Sequence, residues 1–177
     1  MGSLEKYDLV LQDINKPTNI RFMDGNLNMH FSSDSVFDNE KFIDYIKKQQ
    51  HVYKSSLNVN ITGIYISNNP DNIFHSLKII CLSCLVYLNL NKGDDYLTTQ
   101  KNNRDLFIQK NSDYGNSFED FTFLGIIVRL NDKINRLMSL TRNNINKVKD
   151  ESVMDTINDL YNYSILSLMY RQEISST

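Results

Sequence analysis

With 177 residues, 41% of them hydrophobic, the chain is long enough for one ordinary domain, or a domain with a small appendage, and can bury a real core. A formal charge of −2, with no clustered run of Lys and Arg, offers no field for a nucleic-acid backbone and sets polymer binding aside. Cys81 and Cys84 share an apolar stretch with no second pair and no nearby His, which favours buried packing over a redox pair or a zinc site. The start, Met1 to Tyr7, carries neither the basic segment nor the apolar run of a secretory leader, so a cytoplasmic protein is expected. The abundance of Asn, Ile and Lys fits an A+T-rich coding genome, that of a virus or a low-GC microbe.

In chain order, Tyr7 to Ile14 can be read as a strand ended by Pro17, and Asn19 to Phe31 as a hairpin turning at Asp24-Gly25-Asn26. Asp38 can cap a helix from Asn39 to Tyr53, with Phe42, Ile43, Tyr45 and Ile46 as its apolar positions. Leu57 to Ile66 alternates apolar and polar residues, the pattern of a strand. Ser67 to Asp71 is turn chemistry opening an apolar helix over Asn72 to Asn89. The segment from Ile79 to Leu90 is too short to span a bilayer and reads as core, with no membrane partner expected.

Lys92-Gly93-Asp94-Asp95 marks a soft boundary between residues 1–93, a small N-terminal α/β element, and residues 94–177, an all-helical part. The expected class is therefore α+β, mostly helical, with a C-terminal helical bundle. One helix is predicted from Tyr96 to Lys110, a loop over Asn111 to Asn116, a second helix from Phe121 to Arg142 and a third from Lys149 to Arg171. Phe123, Ile126, Ile127, Leu130, Ile134, Leu137 and Met138 form the core stripe of the second, opposite Arg129, Asp132 and Arg136. On the third, Val153, Ile157, Leu160, Tyr161 and Leu168 lie opposite the acids, and past Asn162 the helix becomes apolar nearly all round. A helix of that design is enclosed, which predicts that its acidic face runs into a groove or a subunit interface.

At about 100° per residue, Glu151, Asp155, Asp159 and Asn162 share one face of the third helix. Carboxylates four apart repel by a few tenths of a kcal/mol per pair, so the row needs a cation, a basic partner or solvent. Together Glu151, Asp155 and Asp159 could hold Mg²⁺, which takes oxygen ligands and keeps several waters. The ion would bridge to a phosphate while Arg129, Lys133 or Arg136 neutralises charge, and Asp113, Tyr114 and Asn162 contact sugar or base. The competing reading is that Arg129 and Arg136 simply pair with Asp155 and Asp159 across packed helices, a surface network worth little. His30, His51 and His75 share no helix face and read as surface or cap residues. No glycine-rich phosphate loop or nucleophile elbow is present in the sequence.

Three ordered blocks carry a resemblance. They are Lys110-Asn111-x-Asp113-Tyr114-Gly115-Asn116-Ser117-Phe118, Arg129-Leu130-x-Asp132-Lys133-x-x-Arg136-Leu137, and Asp150-Glu151-x-x-x-Asp155-Thr156-x-x-Asp159-Leu160-x-Asn162-Tyr163. Over about Asp95 to Arg171 the chain resembles the nucleotide modification associated domain of type 1, a family of phages, other viruses and bacteria linked by genome context to nucleotide and base modification. It is more loosely similar to the all-helical nucleoside triphosphate pyrophosphatases of the MazG and dimeric dUTPase kind. That likeness implies a helical bundle, homo-oligomerisation and Mg²⁺ held by helical acids around a nucleotide. By position, Glu151, Asp155 and Asp159 become metal ligands, with Lys133 and Arg136 on phosphate; Glu151 and Asp155 are the expected catalytic residues, and Lys110 is a further expected nucleotide contact. Asp132 stands alone where those enzymes carry a Glu-x-x-Glu pair, so a pocket that retains a nucleotide uncleaved is also compatible.

Three functions follow as expectations: Mg²⁺-dependent hydrolysis or processing of a (deoxy)nucleoside phosphate, a non-catalytic protein that sequesters a signalling nucleotide, and a structural interaction subunit.

Overall fold

A computed structural model describes residues 2–16, 21–22, 25–26, 39–60, 63–66, 70–92, 96–113, 122–142 and 151–171. Among them are helices α1 (Ser3–Ile14), α2 (Asn39–Ser55), α3 (Pro70–Lys92), α4 (Tyr96–Asp113), α5 (Phe123–Thr141) and α6 (Glu151–Leu168). Two antiparallel hairpins accompany them: β1 (Arg21–Phe22) with β2 (Gly25–Asn26), and β3 (Leu57–Asn60) with β4 (Gly63–Ile66). The protein is mostly helical.

Helices α3 and α6 form the centre. α3 packs on α2, α4 and α6, while α6 packs on α1, α3, α4 and α5. Every residue of α3 from Ile80 to Asn89 is buried, as a helix apolar on all sides requires. Two of its buried serines are hydrogen-bonded, one within the helix and one to α2. Ser83 Oγ donates to the Ile79 carbonyl at 2.6 Å, and Ser76 Oγ reaches the Gln49 carbonyl and side-chain oxygen at 3.0 and 2.8 Å. By length and composition α3 could cross a membrane over Asp71–Asn89, a longer apolar window than the sequence reading marked, and 72% of that window is buried inside the protein.

α5 starts at Thr122, whose side chain accepts a hydrogen bond from the Gly125 amide at 3.1 Å. Its buried stripe is Phe123, Ile126, Ile127, Leu130, Ile134 and Leu137, six of the seven positions expected, with Met138 only partly buried and Thr141 completing it. On α6, Val153, Ile157, Leu160 and Tyr161 are buried, and from Ser164 to Leu168 burial is continuous. The apolar side chains among these belong to one core that also takes in Tyr7 and Ile14 of α1 and Phe42, Ile43, Ile46 and Tyr53 of α2.

That shared core corrects part of the expected class: a small N-terminal α/β element is not supported, because the helices of the first half pack on those of the second. Tyr7 to Ile14 is helix, not strand. Leu4, Tyr7, Leu11 and Ile14 recur at helical spacing, and Tyr7 and Ile14 are fully buried with the other two packed against the core. The single strand expected over Leu57 to Ile66 is a hairpin, with Leu57 opposite Ile66 and Asn60 opposite Gly63. Alternation continues through both arms, which hid the reversal. The other expected hairpin forms with Gly25 and Asn26 in its second strand, so these two are not the turn itself. α4 continues through Asp113, three residues into the expected loop.

Truncating the centre of α6 tests this packing. Leu160→Ala should lower unfolding free energy by about 2–5 kcal/mol in urea titration; a loss below about 1 kcal/mol would mean that α6 is not the core helix described.

Candidate functional site

Contacts between α5 and α6 set the register of the charged residues. Lys133 reaches Asp159 and, one turn further along α5, Arg136 reaches Thr156, so the two helices run antiparallel. α4 also runs against α6: Asn103 meets Asn162 and Lys110 meets Asp159. A seam bounded by α4, α5 and α6 results.

At its middle stands Asp159. Its Oδ1 accepts from Lys110 Nζ at 3.2 Å and its Oδ2 lies 3.1 Å from Lys133 Nζ. Lys110 sits in the last turn of α4, where the negative end of the helix dipole favours a cation. The side chain of Asp159 is 25% exposed, that of Lys133 30% and that of Lys110 53%, so the cluster is reachable from solvent. Ion pairs this exposed contribute ~0.2–1 kcal/mol each, too little to make stability the main reason for them.

Along the same face the polar residues change environment. Asp155 is exposed, Asp159 is partly covered and Asn162 is half-buried. Among the described residues, Arg136 is not seen paired with Asp155 or Asp159. Arg136 Nε donates instead to Thr156 Oγ1 at 3.3 Å, and Thr156 Oγ1 donates to the Ser152 carbonyl at 2.9 Å. Antiparallel register explains the difference, because it sets Lys133 level with Asp159 and Arg136 level with Thr156. Arg129 is exposed on α5. Among the described residues no three acidic, histidine or cysteine side chains gather as a metal centre would. Glu151 opens α6 and Asp113 closes α4, but their side chains lie outside the described residues, as does Tyr114.

Asn162 is committed inward. Its Oδ1 accepts from the Tyr7 hydroxyl at 2.7 Å, and its Nδ2 donates to Asn103 Oδ1 at 3.3 Å. Tyr7 is fully buried and stacked on Phe107 at 4.6 Å between centroids. Burial pushes its hydroxyl far above the ordinary tyrosine value, so it stays a neutral donor. Around this link α1 is tied to α4 by Arg104, whose Nε and Nη2 donate to the two oxygens of Asp8 at 2.7 and 3.0 Å. Asn15 and Gln100 exchange amide hydrogen bonds at 3.2 and 3.0 Å. Tyr7, Asn103 and Thr156 thus join the site without having been read from the sequence. Tyr7 was hidden by the strand reading, and the other two by a register that a single helix wheel does not contain.

Both cysteines are free and buried, and burial pushes the Cys81 thiol up to about 12 and Cys84 well above its usual value. A thiolate is therefore scarce at neutral pH, in keeping with packing and against redox chemistry.

Fold and site together define a helical protein with a lysine-clamped acid at a three-helix seam. Residues 110–170 match the family model described as nucleotide modification associated domain 1. The matched segment begins at Lys110, later than the Asp95 expected, and takes in Lys133, Arg136, Asp159 and Asn162. No curated protein and no solved structure matches the chain, and the looser likeness to MazG-type pyrophosphatases rests on motif spacing alone.

The α1 clamp has a pH signature. The Arg104 hydrogen bonds hold the Asp8 carboxyl below its usual range. Its stabilisation is complete above the unfolded value of about 3.9 and is lost as pH falls through the lower folded value. Asp8→Asn should lower the melting temperature at pH 7, with the difference from the native chain closing as acid takes the pH through the depressed folded value. An equal difference at pH 7 and in acid would show that the pair does not stabilise α1 electrostatically.

Proposed function

We propose that the seam of α4, α5 and α6 binds the phosphates of a (deoxy)nucleoside phosphate and that the protein processes this ligand with Mg²⁺. The observation that carries this reading is the convergence of Lys110 and Lys133, from separate helices, on opposite oxygens of Asp159. That convergence lies inside the segment matched by the nucleotide modification family. Each ammonium has three donor hydrogens and can turn from a carboxylate to a phosphate oxygen without leaving the seam. Arg136, one turn along α5, extends the cationic surface to a further phosphate. Asp113 and Tyr114, just past Lys110 in the chain, are assigned to sugar and base, and Arg129 to neutralising charge on the phosphates. Asn162 braces the site from below through Tyr7 and Asn103.

Glu151 and Asp155 are assigned to the divalent ion and to positioning water, with Asp159 able to join them only once its lysines turn away. Held there, Mg²⁺ would polarise a phosphate oxygen and acidify a bound water. Asp155 is exposed and both oxygens of Asp159 meet lysine ammonium groups, so a divalent ion at Asp159 would compete with Lys110 and Lys133. Asp132, exposed and without a second acid three residues away on α5, favours a second reading in which the nucleotide is retained uncleaved.

Incubation with a nucleotide panel and Mg²⁺, followed by ion-exchange chromatography, separates the two. New products mark an enzyme, intact ligand co-eluting with protein marks sequestration, and a blank panel contradicts both. Arg136→Ala should weaken triphosphate binding about tenfold while barely changing nucleoside binding. Equal losses for both would contradict a phosphate role.

A further inference from the structure

One carboxylate is shared by two ammonium groups at the seam, Lys110 on one oxygen and Lys133 on the other. Building on the phosphate-site reading above, we infer that Asp159 is a resident counter-anion that occupies the phosphate subsite and gives way to the ligand. Three features support it. The two engaged oxygens of Asp159 present to the lysines the same pair of acceptors that two non-bridging phosphate oxygens would. Lys110 and Lys133 come from separate helices, so the fold itself brings two ammonium groups onto one anion-sized position. All three side chains are partly exposed, so breaking these pairs costs little, whereas an enclosed ion pair would resist exchange.

Asp159 then has two effects of opposite sign. Without an anion between them, Lys110 and Lys133 would repel one another and swing apart, so the carboxylate keeps them side by side before the ligand arrives. It also competes with the ligand for the same donors. A singly charged anion gains little by replacing it, while a phosphate group, with more charge and three acceptor oxygens, displaces it. Asp159 therefore sets a threshold that selects polyanionic phosphates over simple carboxylates and halides.

Isothermal titration with inorganic pyrophosphate in metal-free buffer tests this on the full chain. Asp159→Asn should bind about two- to fivefold more tightly than the native chain, the range set by pairs of this exposure, and should discriminate less against acetate. Lys133→Ala should bind several-fold more weakly, and the double variant should follow Lys133→Ala. If Asp159→Asn does not melt cooperatively, Asp159→Ser, smaller and still polar, reads the same competition. Unchanged or weaker pyrophosphate binding by a folded Asp159 variant would overturn the inference and leave the phosphate site standing. A native chain that binds members of the nucleotide panel while neither it nor the variant takes pyrophosphate would overturn it too. Failure of the whole panel would remove the functional reading beneath it.

Discussion

Packing of α6 against α1, α3, α4 and α5 is the constraint on which the rest depends. Its second half is buried on every side, so the helix cannot rotate or slide without exposing Ile165, Leu166 or Leu168. A helix held so firmly at one end has a fixed azimuth at the other. The polar row of its first half must then lie where α4 and α5 close on it, with Asp155 outermost and Asn162 innermost. The position of the candidate site follows from hydrophobic burial about two turns away.

Charge placement uses that rigidity. Asp159 sits where the closing helices each bring one lysine, and among the described residues Arg136 meets a threonine. A purely stabilising network would be expected to pair the arginines bidentately with the acids, as Arg104 pairs with Asp8 at the α1 edge. The seam instead has weaker, partly solvated lysine pairs, which exchange partners readily. Below it, Tyr7 and Asn103 fill the hydrogen-bonding capacity of Asn162. The first helix of the chain, outside the family-matched segment, therefore supports a residue inside it.

Much of the helical part was legible because burial along an α-helix repeats every 3.6 residues. The buried stripe of α5 and the passage of α6 from one-sided to fully apolar are written in single-helix periodicity, as is the enclosure of Cys81 and Cys84. α1 was misread because its adjacent Leu9, Val10 and Leu11 mask the spacing of Leu4, Tyr7 and Ile14. The strand over Leu57 to Ile66 was misread because a hairpin with a two-residue connection preserves alternation through both arms. The lysine clamp could not be read at all from one helix. Partner choice depends on the antiparallel register of α5 and on where α4 ends, and a shift of one turn separates Lys133 from Arg136 as the residue level with Asp159. Faces are local properties of sequence, but which charges meet across two faces is a property of the assembled bundle.

The central claim is that Lys110 and Lys133 together receive phosphate. Side-chain NMR of ¹³C-labelled lysines, recorded while a nucleoside triphosphate is added to the native chain, addresses it most directly. The account predicts that the Cε–Hε resonances of these two lysines shift together and saturate at a common concentration while exposed lysines such as Lys101 hardly move. A response spread evenly over the surface lysines, or one that leaves Lys110 and Lys133 unchanged while the nucleotide binds, would contradict it.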